Sequence, residues 1–234
     1  TYPATVASAL PSGSAKRYAV LAAADMPIVS VAMLDSEEVT TKEYGLPEAL
    51  YTRPPEGQLS RFTIAEWTGD EKHLLLQHTY GSEDAVEWVL LDLERPEESV
   101  NINQALGISG GMSKLVFTSG NGREIYALID GSVRVLDLDN QTQSRPLVED
   151  VVDFSLYGDK FVLFTKAPVD NKQQVGYVKE DYKQPRIVKT VAHDGSGTAR
   201  FDVGKYYEKY FFLISNGAEA SLSSSSNLPN DSTS

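Results

Sequence analysis

Short runs rich in β-branched and aromatic residues recur along this chain, and polar turn-forming segments separate them. Examples of the runs are "HLLLQH", "VEWVLLDL", "EIYALID" and "KFVLFTK", and examples of the turns are "TGDEK", "SGNGRE" and "YGDK". Runs of this length, bounded by turn formers, are typical of β-strands joined as hairpins. Apart from a short helical turn at "SVNINQALG", no segment has the 3.6-residue period of an amphipathic helix. The sequence therefore predicts an all-β chain.

The hairpins also repeat at long range. Aligning the strand after each polar turn gives five anchor positions, Arg17, His73, Glu124, Lys160 and Lys209, at spacings of 56, 51, 36 and 49 residues. These spacings are irregular but centre on the length of one four-stranded propeller blade. A single sheet of this kind cannot bury both faces, whereas stacked blades bury the faces between neighbours. We therefore expect a β-propeller of about five blade-like four-stranded units, as a closed ring or as part of a larger one.

The expected blades cover residues 15–50, 60–103, 108–148, 150–192 and 197–222. Trp67, Phe117 and Leu156 occupy equivalent positions and are expected to pack between blades. The last unit has room for only two or three strands, so residues 1–10 are predicted to pair with the strand at 210–215 and close the ring. Residues 223–234 are rich in serine and poor in apolar residues, and this composition predicts a disordered tail.

Composition excludes several functions. The absence of cysteine rules out disulfides, thiol catalysis and cysteine-ligated zinc, and the net charge of -12 argues against nucleic acid or an anionic membrane as the partner. Residues 35–98 carry a net charge of -11 and residues 160–209 a net charge of +4, a difference that we interpret as two solvated surfaces. No apolar run is long enough to span a bilayer, and the first residues lack a signal sequence.

One stretch resembles a known family. "FTIAEWTGDEKHLLLQHTYG", followed by "WVLLDLERPEESVNINQALG", resembles the propeller part of bacterial cell-envelope proteins that also carry a PEGA domain. More distantly, the blades look like TolB-type and WD-repeat blades. The likeness runs from about Lys16 to Leu222 and is most specific in residues 62–107. It implies an extracytoplasmic binding or scaffolding module, in a parent protein anchored to the membrane outside this chain, and it carries over no functional residues.

The PEGA module itself is expected to be absent from this chain. "RPPEGQ" at residues 53–58 is close to the PEGA signature, but Gln58 stands where the signature has alanine. Pro54, Pro55 and Gly57 are instead interpreted as the linker between two blades.

The histidines do not have the spacing of a metal site. His73 and His78 are five residues apart on one predicted strand, so alternation sends their side chains to opposite faces, and His193 lies in a distant glycine-rich loop. Each is expected to be half-buried or to lie in a turn. No metal ligand and no cofactor is assigned.

Neighbouring acids such as Glu83 with Asp84 lie in polar segments and are expected to stay solvated, and Asp70 is expected to cap backbone N–H groups before a central strand. "GISGGMS", with Ser109, does not match a nucleophile elbow, and "SGNGRE" lacks the lysine of a phosphate loop. We assign no catalytic residue and expect a monomeric, non-catalytic module that binds a protein or glycan through loops on a propeller face. The alternative is a hydrolase or lyase that acts on a carbohydrate or peptide at the propeller channel.

Overall fold

The structure of this protein is a computed structural model. It describes residues 6–34, 38–82, 85–109, 111–118, 120, 122–158, 161–179, 184–193, 195, 197–207, 209–215 and 220–225. Among these residues, no helix is long and apolar enough to cross a membrane.

The described residues form five antiparallel sheets, each built from strands that are consecutive in the chain. The first contains β1 (Ser8–Pro11), β2 (Arg17–Leu21), β3 (Ile28–Leu34) and β4 (Val39–Gly45). The second contains β5 (Leu59–Trp67), β6 (His73–Gly81), β7 (Ala85–Asp92) and β8 (Val100–Asn101). The third contains β9 (Met112–Phe117), β10 (Glu124–Ile129), β11 (Ser132–Asp137) and β12 (Thr142–Gln143).

The fourth sheet contains β13 (Val151–Tyr157), β14 (Phe161–Lys166), β15 (Lys172–Lys179) and β16 (Arg186–Ala192). The fifth has three strands, β17 (Arg200–Tyr206), β18 (Lys209–Ser215) and β19 (Ala220–Ser225). Short 3-10 helices at Glu48–Leu50 and Pro96–Glu98 and one α-helix, α1 (Ile102–Ala105), lie in the connections. The expected all-β fold of about five blade-like units is confirmed.

Internal contacts divide the chain into two compact units, and the boundary runs through the third sheet. One unit comprises residues 1–125 with 136–143, and the other comprises residues 126–135 with 144–234.

Trp67 lies in the core of the first unit. Its side chain is 8% exposed and packs in a cluster that draws on both the first sheet, with Leu21 and Val31, and the second sheet, with Leu74. The indole Nε1 donates a hydrogen bond to the carbonyl oxygen of Leu10 at 3.0 Å. The predicted packing of Trp67 between neighbouring sheets is therefore confirmed.

The other two equivalent positions behave differently. Phe117 is buried as expected, but Leu156 is only half-buried, whereas Val151 and Phe154 are the buried residues of its strand. The register of β13 against β14 shifts between Val151 and Asp153. Phe154 and Leu156 follow this shift in regular register and lie on the same face of β13, with Leu156 nearer the end of the strand.

Two predictions about the ends of the chain were wrong for the described residues. β1 pairs with β2 in the first sheet, while β18 pairs with β17 on one side and with β19 on the other, so residues 8–10 do not complete the fifth sheet. Ser223, Ser224 and Ser225 belong to β19 and are not part of a disordered tail. Residues 1–5 and 226–234 lie outside the described residues.

Candidate functional site

A cleft of about 720 Å³ lies in the first unit, where β6 ends, β7 begins and the chain passes through α1 toward β9. The lining residues that the structure describes are apolar or neutral and polar, with one carboxylate among them: Thr52, Tyr80, Ala85, Val86, Glu87, Asn103, Gln104, Gly107, Ile108, Ser109, Gly111, Met112 and Ser113. This volume is in the range of small-ligand and peptide side-chain sites, roughly 300–1,000 Å³. The cleft is the candidate binding site.

Hydrogen bonds that join Trp88 and Asn101 to residues that line the cleft fix the wall between β7 and β9. The backbone N–H of Trp88 donates to Oδ1 of Asn103 at 2.9 Å, and the indole Nε1 of Trp88 donates to the carbonyl oxygen of Met112 at 2.9 Å. Asn101 caps α1, because its Oδ1 accepts from the backbone N–H of Gln104. α1 is too short to be stable alone, so these side chains hold the segment in place.

Glu87 is the one charged residue among the described residues that line the cleft, and it is 3% exposed. Its Oε1 accepts hydrogen bonds from the backbone N–H of Thr52 and, at 2.8 Å, from Nδ1 of His78. Its Oε2 accepts from the hydroxyl of Thr52 at 3.1 Å and from Nδ2 of Asn101 at 2.9 Å. Each carboxylate oxygen therefore already has two donors, so Glu87 has no acceptor site left for a ligand and acts by holding the cleft together.

These contacts also set the ionisation of Glu87. Burial by itself raises the pKa of a carboxyl group, but hydrogen bonds from His78, Thr52 and Asn101 favour the charged form and leave the pKa of Glu87 below its ordinary value. Glu87 is therefore a carboxylate at neutral pH, and its charge is compensated by the donors around it.

His78 connects Glu87 to a serine. Nε2 of His78 lies 3.0 Å from Oγ of Ser60, and Nδ1 lies 2.8 Å from Oε1 of Glu87. These distances match those between the members of a serine–histidine–acid triad. The imidazole, however, is fully buried, with the Phe62 ring stacked on it at 4.1 Å and the Tyr80 ring at 5.2 Å between centroids. A general base must reach the leaving group of a substrate, and a ring enclosed in this way has no path to one.

A second histidine–carboxylate pair occupies the other end of the same hairpin. Nε2 of His73 lies 3.3 Å from Oδ2 of Asp92, and Nδ1 lies 3.7 Å from Oδ1 of Asp70. Burial raises the pKa of Asp92, but backbone hydrogen bonds from Arg95 and Glu94 and the nearby His73 outweigh it, so the pKa lies below the ordinary value. His73 and His78 thus sit in separate clusters. Both are buried, whereas the sequence predicted half-buried or turn positions.

Asp70 has the predicted turn role. Its Oδ1 accepts from the backbone N–H of Lys72 at 3.0 Å and from the hydroxyl of Thr68 at 2.6 Å. His193 lies in a separate loop, where its backbone N–H donates to the carbonyl oxygen of Asn171. Across the described part of the chain, no three histidine, aspartate or glutamate side chains converge as metal ligands.

Glu87 was the residue that sequence reasoning missed. It lies in a dense acidic run and matches no motif, but the register of the hairpin places it directly opposite His78. Pairing the two strand-like runs on either side of "GSED" would have revealed this contact from sequence. Of the acids that the sequence singled out beside it, Glu83 and Asp84 lie outside the described residues.

Solved structures of larger proteins share this fold. A eukaryotic initiation factor matches 94% of this chain at 12% identity with a TM-score of 0.55, and the chain spans 52% of its length. A prolyl endopeptidase matches 91% at 12% identity with a TM-score of 0.56, and the tricorn protease matches 89% at 10% identity with a TM-score of 0.51. The chain spans 33% of the former and 19% of the latter.

Likeness at this identity shows the fold alone, and the fold is that of a β-propeller. Because the matching proteins include both an initiation factor and peptidases, the fold does not distinguish binding from hydrolysis. No family model and no curated protein sequence matches the chain, so the resemblance to PEGA-domain proteins stays a prediction.

Proposed function

We propose that this chain is a non-catalytic binding module that holds a segment of another protein in the cleft beside β7. The cleft supports this role because its walls are fixed by hydrogen bonds and the acceptor sites of the Glu87 carboxylate are all occupied. Val86, Ile108 and Met112 provide an apolar surface for a buried side chain. Gln104 and Ser109, both exposed, are placed to bond with a peptide backbone.

A protein segment fits this lining better than a glycan. Sugar hydroxyls that lie against Val86, Ile108 and Met112 would lose water without gaining hydrogen bonds, at a cost of roughly 1–3 kcal/mol each. An apolar side chain of a peptide would instead gain about 25 cal/mol for each Å² that it buries. The cleft therefore favours a peptide with one or two apolar anchors.

The experiment is a selection of peptides from a random phage-displayed library against the immobilised chain, followed by affinity measurement on two matched variants. Ile108→Asp places a charge in the cleft, and Ile187→Asp makes the same change on β16, where Ile187 is 42% exposed. An unpaired charge against the anchor should weaken binding at least about tenfold. Binding should also change the fluorescence of Trp88, because its indole is bonded to the cleft wall at Met112.

The control variant should leave peptide affinity unchanged. Selected peptides that bind Ile108→Asp as tightly as the parent chain would refute the assignment of the cleft. If glycans on an array bind the parent chain and bind Ile108→Asp more weakly, the ligand of the cleft is a carbohydrate and not a protein.

A hydrolase is the second candidate, favoured by the distances between Ser60, His78 and Glu87 alone. We expect a fluorophosphonate probe to leave Ser60 unlabelled, because His78 is enclosed and its bond to the hydroxyl holds the strands together. Mass spectrometry after labelling reads this directly. A modified Ser60 whose labelling disappears in His78→Gln would establish a hydrolase in place of a binding module.

We also propose that the module works outside the cytoplasmic membrane, at the bacterial cell envelope. This location is supported by the resemblance of residues 62–107 to the propeller part of PEGA-domain proteins. The test is protease treatment of intact cells of the source organism that carry an epitope-tagged parent protein. Loss of the tag without lysis is the expected result, and protection of the tag until lysis contradicts it.

A further inference from the structure

Edge strands are open templates for pairing with other chains, and proteins protect them by shortening, by charge or by bulges. The last strands of the second and third sheets, β8 and β12, have two residues each. β4 carries Lys42 and Glu43, and β16 carries Arg186 and Lys189 and has a register shift against β15. Each of these four edges therefore has a feature that discourages pairing.

The last strand of the fifth sheet has no such feature. β19 is six residues long, reads "ASLSSS" and contains neither a charge nor a proline. It pairs with β18 in unbroken register from Tyr210↔Ser225 to Ser215↔Ala220. Leu222 is 69% exposed beside Leu213, its cross-strand partner, which is 41% exposed. Among the last strands of the five sheets in the described part of the chain, β19 is thus the one whose edge is neither shortened, charged nor bulged.

A hollow of about 250 Å³ adjoins this strand within the second unit. It is lined on one side by Lys189–Ala192 of β16 and on the other side by Ile214, Ala220 and Ser221. Nζ of Lys189 donates to Oγ of Ser221 at 3.0 Å, so the ammonium group is held against β19. No carboxylate within the described part of the chain forms an ion pair with Lys189.

We propose that the free edge of β19 binds an extended acidic segment of a partner protein by strand addition. The main chain of β19 supplies hydrogen bonds, and a carboxylate on the added strand, one strand beyond Ser221, comes within reach of Lys189. Residues 160–209, which include Lys189, carry a net charge of +4, so the local charge favours an acidic segment.

A second copy of this chain fits the edge less well. Two six-residue strands paired through β19 would bury far less than the roughly 1,000 Å² that a stable interface needs. Such pairing would also bring one β19 against another, and residues 220–225 contain no carboxylate that could pair with Lys189. An acidic segment provides both the strand and the counter-charge.

The probe is a fluorescein-labelled eight-residue peptide that alternates valine and glutamate, compared with the same peptide carrying lysine in place of glutamate. Fluorescence anisotropy at low salt should show the glutamate peptide binding about two- to fivefold tighter, since an ion pair at an exposed site such as Lys189 is worth about 0.5–1 kcal/mol. Leu222→Lys adds the edge protection that the other sheets have, and it should abolish binding. Lys189→Glu should reverse the preference between the two peptides.

The matched control is Lys42→Glu, the same change on the protected edge of the first sheet. It should leave both affinities unchanged. Hydrogen exchange provides a direct readout, because amides of residues 220–225 should exchange more slowly with peptide bound. Equal affinity for the two peptides, or glutamate-peptide binding that survives Leu222→Lys, would overturn the proposal. A concentration-dependent dimer that dissociates in Leu222→Lys would also overturn the proposal, because the edge of β19 would then bind a second copy of this chain.

Discussion

Replacing Glu87 with glutamine keeps the shape of the side chain and removes its charge, so it isolates what the carboxylate does. The glutamine oxygen can keep two of the four hydrogen bonds, and the new NH₂ group then meets the other two donors. The hydroxyl of Thr52 can rotate and accept instead. Nδ2 of Asn101 cannot, because it is a donor that is also bonded to the carbonyl oxygen of Leu50.

The loss of stability in Glu87→Gln follows from the number of hydrogen bonds that it loses or weakens. At least one donor loses its partner in a buried site, and the remaining bonds lose the assistance of a charge, at about 1.5–3 kcal/mol for each bond to a charged group. We expect Glu87→Gln to lower the free energy of unfolding by about 2–4 kcal/mol. Urea unfolding followed by tryptophan fluorescence is the assay, because both Trp67 and Trp88 lie in the unit that contains Glu87.

Glu94→Gln is the control. Glu94 pairs with Lys72 at 3.0 Å on the surface, with side chains that are 57% and 48% exposed, so its replacement should change stability by less than about 0.5 kcal/mol. If Glu87→Gln unfolds within about 0.5 kcal/mol of the parent chain, the reasoning about four compensated bonds is refuted.

The same variant should change how stability depends on pH. The folded pKa of Glu87 lies below 4.5, the value expected in the unfolded chain, so near that pH the unfolded state binds more protons. The stabilisation is present above pH 4.5 and is lost as the pH falls through the lower folded pKa. Unfolding measured from neutral pH downward should show the gap between parent and Glu87→Gln narrowing below pH 4.5, and a constant gap would contradict this ionisation.

Three further outcomes are expected. Trp67→Ala should destabilise the chain by about 3–5 kcal/mol in urea unfolding, because a large buried ring leaves a cavity between two sheets. Gly176→Ala should cost about 1–3 kcal/mol by circular dichroism, because a Cβ there overlaps the carbonyl oxygen of Arg186 and the ring of Phe164, whereas Gly45→Ala meets nothing within 4 Å and should be neutral. EDTA should leave the melting temperature unchanged, and a drop that one particular ion reverses would reveal a metal site.

Local sequence signals predicted the strands well because they depend on neighbouring residues. β6, β10 and β14 are runs of apolar residues bounded by turn formers, and all three are central, mostly buried strands. The placement of residues 1–10 failed because it required a contact about 200 residues away, whereas a short turn allows pairing with β2 at a much smaller loop-closure cost. Ser12 fixes that turn, since its backbone N–H donates to the carbonyl oxygen of Arg17 and its Oγ accepts from the N–H of Arg17.

The serine-rich composition of residues 223–225 misled for a related reason. Backbone pairing with β18 does not depend on the serine side chains, and β18 itself, "KYFFLIS", is strongly strand-forming. The composition of a segment indicates how much apolar surface its side chains can bury. It does not indicate which backbone hydrogen bonds a neighbouring strand can form with it.

The sequence predicted only part of the candidate site, because its histidines and the acids that pair with them occur in separate parts of the sequence. In the folded hairpin, His73 stands directly opposite Asp92 and His78 directly opposite Glu87. A slip of the hairpin by one residue would set Glu87 opposite Gln77 or Thr79 and Asp92 opposite Lys72 or Leu74, so each carboxylate would lose its histidine. Leaving a buried charge without its partner costs about 3–5 kcal/mol. The two pairs therefore specify the register of β6 against β7, and the pair at the cleft end also fixes the position of Thr52, so the interactions that define the fold also shape the candidate cleft.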